Sequence, residues 1–490
     1  MPKAIIIGAG IAGIASAIRL AVKGFEVTVF ETNEYPGGKL SEIKNNGFRF
    51  DAGPSLLTMP QYIDELFTLA GKNSTDYFVY QKLDEICTYY YKDGTKIKAW
   101  ADKHKFAAEI ANKTTDSSDS VLSYLNRSAK IYDITNHIFL EKSLHKISGY
   151  LNLKTLNSIF QFPKIDPFRT MNEANSDQFT DSKTIRLFNR YATYNGSDPY
   201  QAPATLNIIP HLEQNFGAYF PKGGMISIVN ALINLATDLG VVFRFNSRVE
   251  EIICGRKKVE GVKVNGSICK ADVIISNMDV WFTYTMLLKN STAPPRFLNQ
   301  ERSSSALIFY WGIKKQFVEL DLHTIFFSED YKKEFEHIWK HNDIYSDPTV
   351  YLNISSKYNA EDAPEGCENW FVMINVPSNK GQDWDALICK ARENILKKLS
   401  ANLSVDIASL IVSENILDPR SIESKTSSYQ GSLYGTSSNN RFAAFLRHSN
   451  FSSKIKGLYF AGGSVHPGGG IPLSLLSAKI VADMIPGLVD

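Results

Sequence analysis

The segment that most limits what this chain can become is its start. There Ala4-Ile-Ile-Ile7 leads into Gly8-Ala-Gly-Ile-Ala-Gly13 and, after a helical stretch, into Phe25-Glu-Val-Thr-Val-Phe-Glu31. A short all-apolar run suits a parallel strand buried on both faces. Gly8 permits a sharp turn at its end, Gly10 lets backbone approach a phosphate closely, and Gly13 lets the next helix pack against the strand. The pattern predicts a helix over 11–22, ended by Lys23-Gly24, and a second strand over 26–30. The helix amides and dipole at Ile11 and Ala12 attract phosphate charge. Glu31 stands 18 residues after Gly13, where a carboxylate accepts hydrogen bonds from ribose hydroxyls and repels a 2′-phosphate. This is a dinucleotide-binding βαβ unit, open at this point between FAD and NAD.

At 490 residues and 44% hydrophobic composition, the chain can hold two or three domains with substantial cores. A net charge of +2 argues against nucleic acid as a partner. The cysteines Cys87, Cys254, Cys269, Cys367 and Cys389 are odd in number and contain no CxxC pair, so neither a disulfide framework nor a metal site is expected and a cytoplasmic setting fits. The first strand begins directly after Met-Pro-Lys and no apolar run approaches the ~20 residues of a membrane span, so neither a leader nor a membrane-spanning helix is expected.

Further along, Tyr35-Pro-Gly-Gly-Lys-Leu40 and Gly47-Phe-Arg-Phe-Asp-Ala-Gly-Pro-Ser55 read either as loops or as backbone pressed against a phosphate or flavin ring. A hairpin is predicted over 84–100 around Asp93-Gly94, opening a second domain. In 136–168, lysines interleave with apolar residues, a pattern shared by core-facing helices and by helices lying on a membrane surface. Arg190-Tyr-Ala-Thr-Tyr-Asn-Gly-Ser-Asp-Pro199 and Phe220-Pro-Lys-Gly-Gly-Met225 are junctions, the second leading into a helix over 226–238. Short strands then run through Val249 and Val259 to 271–277, placing Ser276 and Asn277 at a strand's C-terminal end, where ligands of open α/β sheets sit. Strands over 306–313, 324–327, 349–354, 370–376 and 410–412, with a helix over 384–399, indicate a mixed substrate domain. His337 and His341 share a helical face in a polar segment and read as solvated, not as metal ligands.

The last strong signal is Gly457-Leu-Tyr-Phe-Ala-Gly-Gly-Ser-Val-His-Pro-Gly-Gly-Gly-Ile-Pro472 followed by a helix over 473–485. A second glycine-rich helix start suits stabilisation of negative charge on a reduced flavin. No second GxGxxG unit follows, so a separate nicotinamide domain is not expected and FAD is favoured.

The ordered motifs Gly8 to Gly13, Glu31, Pro36-Gly-Gly-Lys39, Phe50-Asp-Ala-Gly-Pro-Ser55, Phe220-Pro-Lys-Gly-Gly-Met225 and His466-Pro-Gly-Gly-Gly-Ile-Pro472 resemble those of the bacterial-type phytoene desaturase family of carotenoid enzymes. Within it the chain looks closest to the 1-hydroxycarotenoid 3,4-desaturases. The resemblance covers essentially the whole chain. It implies an α/β fold, with a Rossmann-like FAD-binding domain of the flavin amine oxidase and GDI-like kind built from 1–80, 215–285 and 427–490, and a mixed α+β substrate domain from 81–214 and 286–426. It implies FAD on Gly8, Gly10, Ile11, Ala12, Gly13, Glu31, Gly38, Lys39, Leu40, Pro54, Ser55, Val249, Asn277, Gly463, Gly470, Ile471 and Pro472. Lys39 stands where the pattern usually has arginine, keeping the charge but losing the bidentate fork. The resemblance also tips 136–168 toward membrane contact, hence toward a peripheral protein on the inner face of the membrane.

The implied reaction removes two hydrogens from an acyclic carotenoid by hydride transfer to flavin, with an external acceptor, quinone or oxygen, taking the electrons. A hydroxylated end needs a polar partner, for which Tyr194, Asp198, Glu213 and His466 are candidates; no catalytic base stands out. The competing readings are a phytoene desaturase, a flavin amine or porphyrinogen oxidase, and a redox-neutral carotenoid isomerase.

Overall fold

A computed structural model describes residues 1–136, 140, 142–146, 165–289, 299–440 and 447–487. Most of the 136–168 stretch lies outside these described residues. Five parallel strands form one sheet in the order Val242–Arg244, Glu26–Phe30, Lys3–Ile7, Val273–Ser276 and Leu458–Phe460. The apolar run at the start of the chain becomes its central strand, with Ala4 to Ile7 all buried. Helices Ile11–Val22, Ile226–Asp238 and Ile471–Met484 cover one face, joined to the sheet through Ile14, Ile18, Val229, Leu232 and Leu475. On the other face lies an antiparallel sheet of Val249–Cys254, Val259–Val264 and Ser267–Lys270, whose Val249, Ile252 and Val262 meet Ile5, Ile7 and Ile274.

The second large sheet has seven strands, ordered Ile411–Leu417, Ser305–Ile313, Glu368–Val376, Val350–Asn353, His323–Phe326, Glu85–Tyr90 and Lys96–Trp100. The 84–100 hairpin is therefore one edge of this sheet. Strand alternation sorts its two faces. Leu307, Phe309, Trp311, Trp370, Val372 and Ile374 pack beneath helix Trp384–Leu403 through Ala391, Ile395 and Leu399. The register Leu417↔Ile308↔Met373↔Tyr351↔Ile325↔Tyr89 runs across the opposite face.

Two expectations need correction. The final strand extends to Leu417 instead of stopping at 412, because its polar residues belong to a solvated edge, where Glu414 accepts from Arg392 Nε at 2.8 Å. The polar 334–341 segment is not simply solvated. Glu334 is buried and accepts hydrogen bonds from Thr349 N and Oγ1 at 3.0 and 2.7 Å, while Phe335 and Ile338 enter the core.

Candidate active site

Four connections leave the C-terminal edge of the parallel sheet and enter one cavity of about 930 Å³. Gly8 and Gly10 follow the first strand, Glu31 the second, Asn277 the Val273–Ser276 strand, and Gly462 and Gly463 the last. This is where open parallel sheets hold ligands. A Cβ on Gly13 would sit 2.1 Å from the Gly8 carbonyl oxygen, and one on Gly10 would sit 2.6 Å from Asn277 Oδ1. Gly13 is thus a packing contact behind the cavity, whereas Gly10 faces it.

Helix Ile11–Val22 begins at Gly10 with no side-chain cap and no acid in its first turn, and helix Ile471–Met484 begins at Gly470 in the same manner. Gly10, Ile11 and Ala12 line the cavity, as do Gly470, Ile471 and Pro472. Two sets of unpaired first-turn amides and two positive dipole ends therefore open on one space. Gly38, Lys39, Leu40, Pro54, Ser55, Val249 and Asn277 complete that part of the wall. The buried Glu31 carboxylate accepts from Ala9 N at 2.7 Å and Asn33 N at 2.9 Å, which fixes it at the sheet edge with lone pairs to spare. Such a cradle fits a dinucleotide: amides for a pyrophosphate, a fixed carboxylate for a ribose, and glycines where a Cβ has no room.

The Lys39 ammonium donates to the carbonyl oxygens of Ser432 and Leu433 at 3.1 and 2.7 Å. Although its side chain borders the cavity, burial pulls its pKa down to about 8, against a smaller opposing pull from Asp279. The consequence has a definite sign. Between pH 8 and the ordinary 10.5 the unfolded chain holds a proton that the folded chain has released, so raising the pH through this window favours folding. Protein stripped of its ligand should gain denaturant resistance over that range, and Lys39→Met should lack that increment. Equal slopes for the two proteins would contradict this.

Beyond the cradle the cavity runs over the face of the seven-stranded sheet opposite helix Trp384–Leu403. Leu417, Ala306, Ile308, Phe371, Met373, Tyr351, His323, Ile325 and Cys87 line it from six neighbouring strands. At the ~4.8 Å spacing of paired strands, this floor is roughly 24 Å across.

Of the polar candidates, Tyr194 lines the cavity, and Asp198, Glu213 and His466 are not among its lining residues. Asp198 closes a turn, accepting from Tyr200 N at 2.8 Å and Gln201 Nε2 at 2.7 Å. His466 Nε2 donates to the Lys142 carbonyl at 2.9 Å. Glu213 lies behind the wall in a buried cluster, accepting from Tyr191 OH at 2.9 Å, from Arg190 Nη2 at 3.2 Å and from Tyr194 OH. Arg190 also donates through Nε to Tyr89 OH at 2.9 Å and through Nη1 to Tyr194 OH at 3.2 Å. Burial raises the Tyr191 and Tyr194 phenols well above their ordinary range. Arg190, His323, Tyr351 and Cys87 border the cavity but carry no local motif. The available signal was the alternation of strand residues around 323 and 351.

A dinucleotide cradle continuous with a long apolar chamber defines a flavin-dependent oxidoreductase. Residues 11–486 match the family described as flavin containing amine oxidoreductase. The chain belongs to that family and, within it, to the bacterial-type phytoene desaturases that its motifs resemble. It is 52% identical over 486 residues to the 1-hydroxycarotenoid 3,4-desaturase of Flavobacterium sp. (strain P99-3), covering 99% of each chain. It is 33% identical over 492 residues to the 4,4'-diapolycopene oxygenase of Methylomonas sp, covering 99% of this chain and 98% of the other. An oxidoreductase from Methanosarcina mazei shares the fold at TM-score 0.66 and 15% identity over 98% of this chain and 100% of its own. Putrescine oxidase bound to putrescine does so at 0.64 and 14% over 99% and 98%. The protein is an FAD-dependent oxidoreductase of the flavin amine oxidase and GDI-like fold. No helix among the described residues is long and apolar enough to cross a membrane.

Proposed function

We propose that this protein introduces a C–C double bond into an acyclic, 1-hydroxylated carotenoid; its 52%-identical relative is named a 1-hydroxycarotenoid 3,4-desaturase. The observation that carries the reading is the roughly 24 Å apolar floor running on from the dinucleotide cradle. A rod-like polyene needs such a surface, whereas a small amine does not. We assign 1–80, 215–285 and 427–490 to the FAD-binding domain and 81–214 and 286–426 to the substrate domain. In this assignment Gly8, Gly10, Ile11 and Ala12 hold the pyrophosphate, with Gly13 supporting them from behind, and Glu31 binds the adenosine ribose. Gly38, Lys39 and Leu40 follow the phosphates and ribityl chain, and Val249 meets the adenine. Pro54, Ser55, Asn277, Gly463, Gly470, Ile471 and Pro472 surround the flavin.

Bound FAD supplies the two-electron acceptor for the hydride leaving the carotenoid. The second hydrogen departs as a proton from the neighbouring carbon, and delocalisation of the allylic cation makes a strong protein base unnecessary. The chain's part is orientation and exclusion of water. Ile308, Met373, Ile325 and Phe371 hold the polyene flat on the sheet, and the helix starting at Gly470 directs its positive end toward the flavin side. The final electron acceptor would be external, quinone or oxygen. The protein works against the inner face of the membrane that stores its substrate, with contact through 136–168.

Anaerobic mixing of the holoenzyme with a 1-hydroxylated acyclic carotenoid should bleach the flavin and yield a pigment absorbing at longer wavelength. A carotenoid that binds yet leaves the flavin oxidised would overturn the proposal.

A further inference from the structure

A chamber that receives a hydroxylated polyene must offer its oxygen a partner, and the polar groups singled out from the sequence are already occupied. Tyr194 OH donates to Glu213 and accepts from Arg190, Asp198 is held by its own turn, and His466 Nε2 donates to the Lys142 carbonyl. His323 differs. It lines the cavity at 4% exposure, and its Nε2 is buried with no hydrogen-bond partner among the described residues.

Its other nitrogen decides which form of the ring is present. His323 Nδ1 lies 2.8 Å from Tyr351 OH and 3.2 Å from Asn353 Nδ2. The Asn353 amide is oriented by donation from Nδ2 to the Leu322 carbonyl at 3.1 Å, so the group it presents to Nδ1 is an N–H. Nδ1 must therefore accept, and in a neutral ring the proton sits on Nε2. Tyr351 OH then donates to Nδ1, and its oxygen receives the Ser55 hydroxyl at 2.7 Å. Every bond in the chain Ser55, Tyr351, His323 points the same way and ends on an N–H that meets no acceptor among the described residues. Burial keeps the ring neutral, lowering its pKa to about 3, with Arg190 adding to the effect. A base is excluded by the same facts: the free nitrogen is the one that carries the proton.

We propose that His323 is the specificity-determining residue for oxygenated substrate, its Nε2–H donating to the terminal hydroxyl oxygen of the carotenoid. The inference rests on the carotenoid reading above and deepens it. A buried donor left unpaired is destabilising, a cost that the hydroxyl removes and a plain hydrocarbon end does not. The placement suits the chemistry: Ser55, on the flavin side of the wall, is two hydrogen bonds from His323, and the carbon that bears the hydroxyl, carbon 1, lies two bonds from the 3,4 bond. The flanking Ile325, Cys87 and Phe371 are unable to substitute as strong donors.

The test measures dissociation constants of the holoenzyme, in detergent micelles, for a 1-hydroxylated acyclic carotenoid and for its deoxy counterpart, which differs only in that oxygen. Wild type should prefer the hydroxylated compound by about tenfold, in line with a neutral hydrogen bond gained and a buried donor satisfied. In His323→Phe the ratio should fall to about one, and in His323→Gln, which keeps an N–H donor, part of it should return. Retained flavin absorbance confirms that each variant is folded. An unchanged ratio in His323→Phe overturns the proposal. So does a wild type without preference, which would mean that a trapped water satisfies Nε2. Because the readout is binding, a failure of flavin bleaching would sink the desaturase reading while the ratio still decided the role of His323.

Discussion

Replacing Glu213 with leucine is expected to destabilise the protein by about 3–5 kcal/mol, read as a lower urea midpoint. Glu213 and Arg190 are 1% and 6% exposed, and Glu213 is the carboxylate to which the Arg190 guanidinium donates, 3.2 Å away. Arg190 donates its other hydrogen bonds to the Tyr89 and Tyr194 hydroxyls, and its guanidinium sits over the rings of Tyr89, Tyr191 and Tyr194 at 5.0, 4.5 and 5.2 Å. Without Glu213 the guanidinium would keep its ring contacts and lose its counter-charge, the costly half of breaking a buried pair. Glu213→Gln retains an acceptor for Tyr191 OH and should lose less. Arg190→Met combined with Glu213→Leu should recover most of the loss, since an apolar pair of similar volume carries no desolvation cost. A double variant no more stable than Glu213→Leu would show that the tyrosine cage, and not charge pairing, holds this corner. Because Tyr194 and Arg190 border the cavity, the single variant should also weaken carotenoid binding.

What could be read in the sequence and what could not divides along chain distance. Helices Ile11–Val22 and Ile226–Asp238 match the expected spans, because each is bounded by nearby residues: Gly10 and Gly24 for one, Met225 and Gly240 for the other. The glycines of the cradle were legible for the same reason, a turn or a close approach being a local demand. Glu213 stood out as a polar residue near a junction, yet its use depends on Arg190 and Tyr191, 23 and 22 residues away. Asp198 stood out equally and serves its own turn, whereas His466 donates to the Lys142 carbonyl, 324 residues away. The Ser55, Tyr351 and His323 chain joins residues 296 and 28 positions apart, and only the pairing of strands His323–Phe326 and Val350–Asn353 brings the last two together. Period-two alternation marks which residues share a face but not which strand lies alongside. The long-range pairing that forms the apolar floor was therefore hidden, although each of its strands except the last was placed nearly correctly.

Gly13→Ala is expected to strip the protein of FAD, with affinity reduced on the order of a hundredfold, about 3 kcal/mol. The Cβ would stand 2.1 Å from the Gly8 carbonyl oxygen and 3.0 Å from Asn277 Oδ1. Gly8 is held in place by donation of its N–H to the Phe30 carbonyl at 2.8 Å and by its own positive φ of 95°. The helix must therefore move off the strand, carrying with it the amides of Ile11 and Ala12 that we assign to the pyrophosphate. Gly10→Ala makes an instructive contrast, because the atom in its way is Asn277 Oδ1, at 2.6 Å, the end of a side chain. Removing that side chain in Gly10→Ala, Asn277→Ala should restore part of the affinity, limited by the Cβ that still projects toward the cavity and by the lost donation from Asn277 Nδ2 to the Ala461 carbonyl. The same Asn277→Ala change should do nothing for Gly13→Ala, since the Gly8 oxygen remains. Titration of the stripped variants with FAD, followed by flavin fluorescence, separates the cases. Wild-type affinity in Gly13→Ala, or its rescue by Asn277→Ala, would show that helix and strand can separate here without disturbing the cofactor, and the packing role assigned to Gly13 would be wrong.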